Sequence, residues 1–98
     1  MILQPILDLV AICAAQGIRQ VVLSPGSRCA PLTLAFARHP EMEVRTISDE
    51  RSAAYIALGM AQQLKQPVVL VCTSGSAALN YFPAIAEAFF QQIPLLVL

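Results

Sequence analysis

Ser24-Pro25-Gly26-Ser27-Arg28 follows the short apolar run Val21–Leu23 and precedes a helical pattern. Free backbone N–H groups and the positive end of a helix dipole attract anions at such a turn. A guanidinium can add two parallel hydrogen bonds to a carboxylate or phosphate. The plainer alternative is a strand-to-helix turn in which Ser27 caps the helix and Arg28 is solvated. A second string, Ser48-Asp49-Glu50-Arg51, opens another helical pattern. Acidic residues in a first turn offset the helix dipole, and Ser48 and Asp49 are candidate N-caps. The chemical reading is a carboxylate beside Ala53, Ala54 and Tyr55, desolvated at an interface and so suited to proton exchange with a bound heterocycle. The third string is Thr73-Ser74-Gly75-Ser76. Its glycine allows a flat ligand to approach and its hydroxyls can donate or accept, although ordinary helix capping explains it as well.

Other polar residues offer less. The sequence contains neither G-x-x-x-x-G-K-[ST] nor G-x-G-x-x-G, the two glycine-rich phosphate signatures. His39 precedes Pro40 at a helix end, has no partner at metal-ligand spacing, and is expected on the surface; no metal site is predicted. Asn80 is expected to pack or hydrogen-bond within the last helix rather than to act as a ligand. With that one histidine far from the three loops, a nucleophile and base for hydrolysis are hard to assemble. Cys13, Cys29 and Cys72 lie far apart without C-x-x-C spacing and read as reduced thiols.

The elements that position these loops alternate between two periodicities. Ile6, Leu9, Val10, Cys13 and Ala14 mark one face of a helix that ends at Gly17, a C-cap. Val21–Leu23 is a strand, and a helix follows from about Ala30 to Arg38, ended by Pro40. Val44–Ile47 is a second strand, followed by a helix from about Glu50 to Leu64 with Ala54, Ala57, Leu58, Ala61 and Leu64 on its buried face. Val68–Cys72 is continuously apolar, which predicts a strand buried on both faces. A helix over roughly Ala77–Phe90 is expected to kink or break at Pro83. Leu95–Leu98 reads as a fourth strand with no turn or cap after it, as in a truncated chain. Strands alternating with helices predict an α/β fold, a parallel sheet with helices on both faces. Ligands of such sheets bind beyond the carboxyl ends of the strands, where the three loops fall.

Composition bounds the function further. The chain has 98 residues, 57% hydrophobic and 12% charged, with mean hydropathy +0.67. The longest apolar stretches, Leu9–Ala15, Ala53–Leu58 and Val68–Cys72, fall well short of the ~18 residues that a membrane crossing needs. A single domain this small leaves part of such an apolar surplus exposed, which implies a partner surface. Six Lys+Arg balance six Asp+Glu with no basic cluster, which argues against nucleic-acid binding. The start, Met-Ile-Leu-Gln-Pro, carries no secretory pattern, so a cytoplasmic protein is expected.

Taken together, Ser24-Pro25-Gly26-Ser27-Arg28-Cys29-Ala30-Pro31-Leu32-Thr33, Asp49-Glu50-Arg51 and Thr73-Ser74-Gly75-Ser76-Ala77 resemble one family in the same order along nearly the whole chain. It is the N-terminal pyrimidine-binding domain of the 2-succinyl-5-enolpyruvyl-6-hydroxy-3-cyclohexene-1-carboxylate synthases, thiamine-diphosphate-dependent enzymes of menaquinone and phylloquinone biosynthesis. The S-P-G-S-R block is the specific part; Cys29 departs from the small polar residue expected there. The resemblance implies that Glu50 hydrogen-bonds the aminopyrimidine of thiamine diphosphate and promotes its imino tautomer. The activated cofactor then decarboxylates 2-oxoglutarate and adds the four-carbon unit to isochorismate. By the same resemblance Ser27 and Arg28 hold a carboxylate of isochorismate, and Thr73, Ser74 and Gly75 line the pyrimidine. It also implies that residues 1–98 are an N-terminal fragment of a larger multidomain enzyme, inactive alone. The diphosphate and Mg²⁺ would then be held by a separate C-terminal domain, with the active site between subunits of a homodimer or homotetramer. Another thiamine-diphosphate-dependent 2-oxo acid decarboxylase or lyase, or a non-catalytic α/β binding module, remain the alternatives.

Overall fold

A computed structural model describes residues 3–98. Of the N-terminal residues read for a secretory pattern, Met1 and Ile2 lie outside the described ones. Helix α1, Gln4–Ala15, takes Pro5 in its first turn, where the missing N–H removes no helical bond. Gly17 closes it at φ +83°, a left-handed conformation that glycine adopts without a Cβ clash. Strand β1 (Gln20–Leu23), a 3₁₀ turn over Ser27–Cys29, helix α2 (Ala30–Arg38) and strand β2 (Glu43–Thr46) follow. Helix α3 spans Glu50–Leu64, strand β3 Val68–Val71, helices α4 and α5 Ser76–Leu79 and Phe82–Gln91, and strand β4 Leu95–Val97.

The four strands form one wholly parallel sheet in the order β2-β1-β3-β4. Alternate side chains of a strand point to opposite faces, and the two cores divide on that rule. Val21, Leu23, Val69 and Val71 pack with Val10 and Cys13 of α1 and Ala35 and Phe36 of α2. Val22, Val68, Leu70 and Cys72 pack with Ala53, Ala54, Ala57 and Ala61 of α3 and Ala84 of α5. The alanine face of α3 has no bulk to hold it off the sheet, and its four alanines are wholly buried. β3 is buried along its whole length, as its unbroken apolar run predicts.

Several boundaries differ from the expected ones. β2 starts and ends one residue earlier than Val44–Ile47, because Ile47 has already turned away, although its N–H still donates to the Leu23 carbonyl at 2.9 Å. The helix expected over Ala77–Phe90 is two helices; Asn80 and Tyr81 separate them and Pro83 sits in the first turn of α5. Leu64 is half exposed rather than on the buried face, since it lies at the last turn of α3 beyond the sheet. The expected apolar surplus is on the surface, spread over the helices and most exposed on α5, where Phe89 and Phe90 are 76% and 80% exposed. Their rings meet edge to face with centroids 5.4 Å apart. Cys13, Cys29 and Cys72 are all free and buried, in keeping with reduced thiols. No helix among the described residues is long and apolar enough to cross a membrane.

Candidate functional site

The strand order puts the change of winding between β1 and β3. From β1 the chain passes to α2 on one face, and from β3 to α4 and α5 on the other. Diverging connections open a crevice at the carboxyl ends of these two strands, the usual ligand position in open α/β sheets. The first and third loops form its two sides. Arg28 Nη1 donates to Ser74 Oγ at 3.0 Å, so the guanidinium, exposed as the plainer reading expects, also reaches across the crevice. Ser27 opens the 3₁₀ turn, exposed, and makes no side-chain cap; the capping reading of that turn does not describe it. Gly75 precedes α4 at φ +91°, a conformation that favours glycine, and no side chain caps that helix either.

Gly26 is required by space. Its φ of −174° is open to any residue, but a Cβ there would stand 2.5 Å from Thr73 Cβ. That distance is inside van der Waals contact with an atom fixed to the backbone, so the two loops must part to admit a methyl group. Gly26→Ala is expected to destabilise the fold by about 1–3 kcal/mol, the scale of overpacking at a close contact. Adding Thr73→Gly, which removes the opposing carbon, should recover part of the loss; thermal melting of the single and double variants checks both.

The second loop is tied to the first through Ser24, whose buried hydroxyl donates to the Ile47 carbonyl at 2.7 Å. Asp49 then caps α3, accepting from the Ser52 hydroxyl at 2.7 Å and its N–H at 2.8 Å. These two bonds, the hydroxyl's first, hold the Asp49 carboxyl below the usual range, with Arg51 assisting. A lowered carboxylate contributes stability above the ordinary aspartate range and loses it as pH falls through the lowered value. Ser48, the other candidate cap, makes no such bond. Glu50 is the first residue of α3 and half-buried, and among the described residues no ion pair involves it.

A cleft of about 350 Å³ lies on the β4 side of the crevice, lined in part by Arg28, Cys29, Cys72, Thr73 and Ser74. Glu50, Ser27 and Gly75 do not line it. The structure thus brings Arg28, Thr73 and Ser74 together, with Glu50 at the start of α3. His39 is half-buried with Nδ1 accepting from the Glu41 N–H, and Asn80 Nδ2 donates to the Ser76 carbonyl. Sequence reasoning overlooked Ser24, Cys72 and Tyr81, which lie buried at the strand ends beneath the loops. Burial pushes the Tyr81 phenol up, and the adjacent Cys72 and the charge of Glu50 add to the shift. Burial likewise raises the Cys72 thiol. The one available signal was an aromatic residue with a hydroxyl just ahead of the helix-breaking Pro83.

The profile of the family described as "Thiamine pyrophosphate enzyme, N-terminal TPP binding domain" matches residues 8–98. The chain belongs to this thiamine pyrophosphate enzyme family. Three relatives are each named 2-succinyl-5-enolpyruvyl-6-hydroxy-3-cyclohexene-1-carboxylate synthase. The Cytophaga hutchinsonii protein is 56% identical over 98% of this chain and 17% of its own length. That of Christiangramia forsetii is 60% identical over 93% of this chain and 16% of its own, and that of Microcystis aeruginosa 58% over 92% and 16%. The resemblance read from the three loops is therefore borne out, and the chain spans about a sixth of the length of these relatives. Benzoylformate decarboxylase from Polynucleobacter necessarius superimposes with a TM-score of 0.83 at 22% identity, over 94% of this chain and 17% of that one. At that identity the likeness speaks for the fold, and it agrees with the expected α/β pyrimidine-domain architecture.

The donors of this thiamine pyrophosphate enzyme domain suit one end of such a cofactor. Glu50 is a carboxylate without an ion pair, at a helix start on the ligand side of the sheet, which suits a ring nitrogen that must gain or lose a proton. A diphosphate with a divalent cation needs several oxygen ligands. Among the described residues no three His, Cys, Asp or Glu side chains gather as such a set.

Proposed function

We propose that this chain is the pyrimidine-binding domain of a thiamine-diphosphate-dependent synthase that decarboxylates 2-oxoglutarate and adds the resulting four-carbon unit to isochorismate. The pathway is menaquinone or phylloquinone biosynthesis. The observation that carries the reading is Arg28, held across the crevice by Ser74 at 3.0 Å in a chain 56–60% identical to synthases of that name. A guanidinium fixed by one hydrogen bond still has donors to spare for a carboxylate, and isochorismate is a dicarboxylic acid.

In this reading Arg28 and Ser27 bind and orient a carboxylate of isochorismate. Glu50 holds a ring nitrogen of the pyrimidine and moves a proton at its own carboxyl oxygen. Thr73, Ser74 and Gly75 form the wall against the ring, where the bare Gly75 backbone allows close approach. Thiamine diphosphate, when bound, supplies the carbon nucleophile on which decarboxylation depends. Diphosphate and Mg²⁺ belong to a further domain of a longer chain, in which residues 1–98 are the N-terminal part. The complete site lies between subunits of a homodimer or homotetramer, for which the exposed apolar residues of α5 are suited.

The test is isochorismate consumption by the full-length enzyme with 2-oxoglutarate and Mg²⁺, with and without thiamine diphosphate. Consumption that requires the cofactor is expected. Decarboxylation of a 2-oxo acid without loss of isochorismate would keep the cofactor and Glu50 but remove the roles of Ser27 and Arg28. No activity of either kind would leave a binding module.

A further inference from the structure

We propose that Cys29 and Thr33 form a hydrogen-bonded relay that positions Arg28, by closing the Ser24–Arg28 turn from its buried side. The proposal rests on the role given to Arg28 above and names what holds that guanidinium at the crevice. Arg28 is exposed, and its side chain is tied only through the bond to Ser74. An arginine side chain has about 2 kcal/mol of rotamer entropy to lose, so its direction depends on how firmly the backbone beneath it is fixed. The residue that follows it is buried. Cys29 is 3% exposed, closes the 3₁₀ turn and stands at the N-cap of α2.

The Cys29 thiol donates to the Gly26 carbonyl at 3.2 Å and makes a longer contact with the Ser24 carbonyl at 3.8 Å. It thereby ties down the carbonyls on both sides of Pro25. From the other direction the Thr33 hydroxyl, one turn into α2, donates to Cys29 Sγ at 3.7 Å. A thiol has one proton to give and accepts weakly, and both capacities are used here. Each end of the relay is anchored. Thr33 belongs to α2, which packs on the sheet through Ala35 and Phe36. Ser24 donates its backbone N–H to the Val71 carbonyl at 2.9 Å and its hydroxyl to that of Ile47 at 2.7 Å. Gly26 abuts Thr73, the neighbour of Ser74, so closely that a Cβ on it would stand 2.5 Å from Thr73 Cβ. Arg28 thus sits between two held points, Gly26 and Cys29, with its guanidinium in reach of Ser74. Cys29 and Arg28 also line the same cleft beside Thr73 and Ser74.

Steady-state kinetics of the full-length enzyme test this. Cys29→Ala removes the relay and is expected to raise the KM for isochorismate about fivefold, because a turn that holds its binding geometry about a fifth of the time binds about five times more weakly. The KM for 2-oxoglutarate should stay within about twofold, since Arg28 binds only the other substrate. Cys29→Ser keeps a donor and an acceptor at the position and should bring the isochorismate KM back to within about twofold of the parent value. In an Arg28→Ala background, Cys29→Ala should move that KM by less than about 1.5-fold, since residues that act through one another are not additive. Equal factors in both backgrounds, a serine variant as impaired as the alanine one, or no effect of Cys29→Ala would overturn the proposal, because a cysteine that only fills the core acts without regard to Arg28. Thr33→Val breaks the relay at its other end and is expected to raise the isochorismate KM about two- to threefold, the scale of one weak hydrogen bond, and only when Arg28 is present. An alanine variant that fails to fold therefore leaves the relay open to measurement, and an equal effect of Thr33→Val with and without Arg28 would overturn it. If Arg28→Ala itself leaves the isochorismate KM unchanged, the role of Arg28 falls first and this inference with it.

Discussion

Glu50→Gln in the full-length enzyme is expected to lower thiamine-diphosphate-dependent turnover by about 10² to 10⁴-fold, the range of a positioned proton-transfer group. Glutamine keeps the length and planarity of the side chain and can still hydrogen-bond a ring nitrogen, but it cannot hold or release a proton there. The fold should be unaffected. Glu50 is half-exposed and in no ion pair, and the cap of α3 is made by Asp49 with Ser52. Isochorismate consumption and thermal melting of the same preparation separate the two effects. Turnover near the parent level would remove the proton role from Glu50, whereas a collapsed melting transition would show that the carboxylate is needed for folding.

Arg28→Ala is expected to raise the KM for isochorismate by about 10 to 150-fold, corresponding to the loss of one charge-assisted hydrogen bond of roughly 1.5–3 kcal/mol. The KM for 2-oxoglutarate should stay within about twofold, because an interaction with one substrate does not carry over to a step that binds the other. Arg28→Lys should recover little, since an ammonium cannot reproduce a fixed fork of donors that spans Ser74 and a carboxylate together. Ser74→Ala serves as the companion measurement. It removes the bridge but leaves the guanidinium, so a smaller rise is expected; a rise as large as that of Arg28→Ala would mean that Arg28 acts by holding the third loop and not by binding substrate.

How much of this was legible beforehand differs from residue to residue. The apolar run at Val68–Val71 is long enough for one strand and too uniform for a half-exposed one, and β3 is fully buried. Asp49 was readable as a cap because a cap is a local bond, here to Ser52 three residues on. Pro83 was readable as an interruption for the same reason, since its missing N–H acts within one turn. What the interruption does was not readable: it turns Tyr81 into the layer between sheet and α3, a placement set by elements far away in sequence. The Ser27 cap expected in the plainer reading fails because the chain runs into a 3₁₀ turn before α2 begins. Leu64 fits the helical period yet lies past the edge of the surface that the helix covers.

By itself the sequence determined the α/β alternation, the parallel sheet covered on both faces, and the presence of three polar loops after its first three strands. All of these follow from periodicity, turn residues and caps, whose physics acts within about one turn or one strand. The combination of those loops also indicated the family. Only the tertiary structure decided which loops meet: the strand order that opens the crevice between β1 and β3, the Arg28–Ser74 bond between residues 46 apart, the contact of Gly26 with Thr73, and the burial of Ser24 and Tyr81 below. Those contacts depend on how the two faces of the sheet pack, and no local pattern encodes the packing of segments that are distant along the chain.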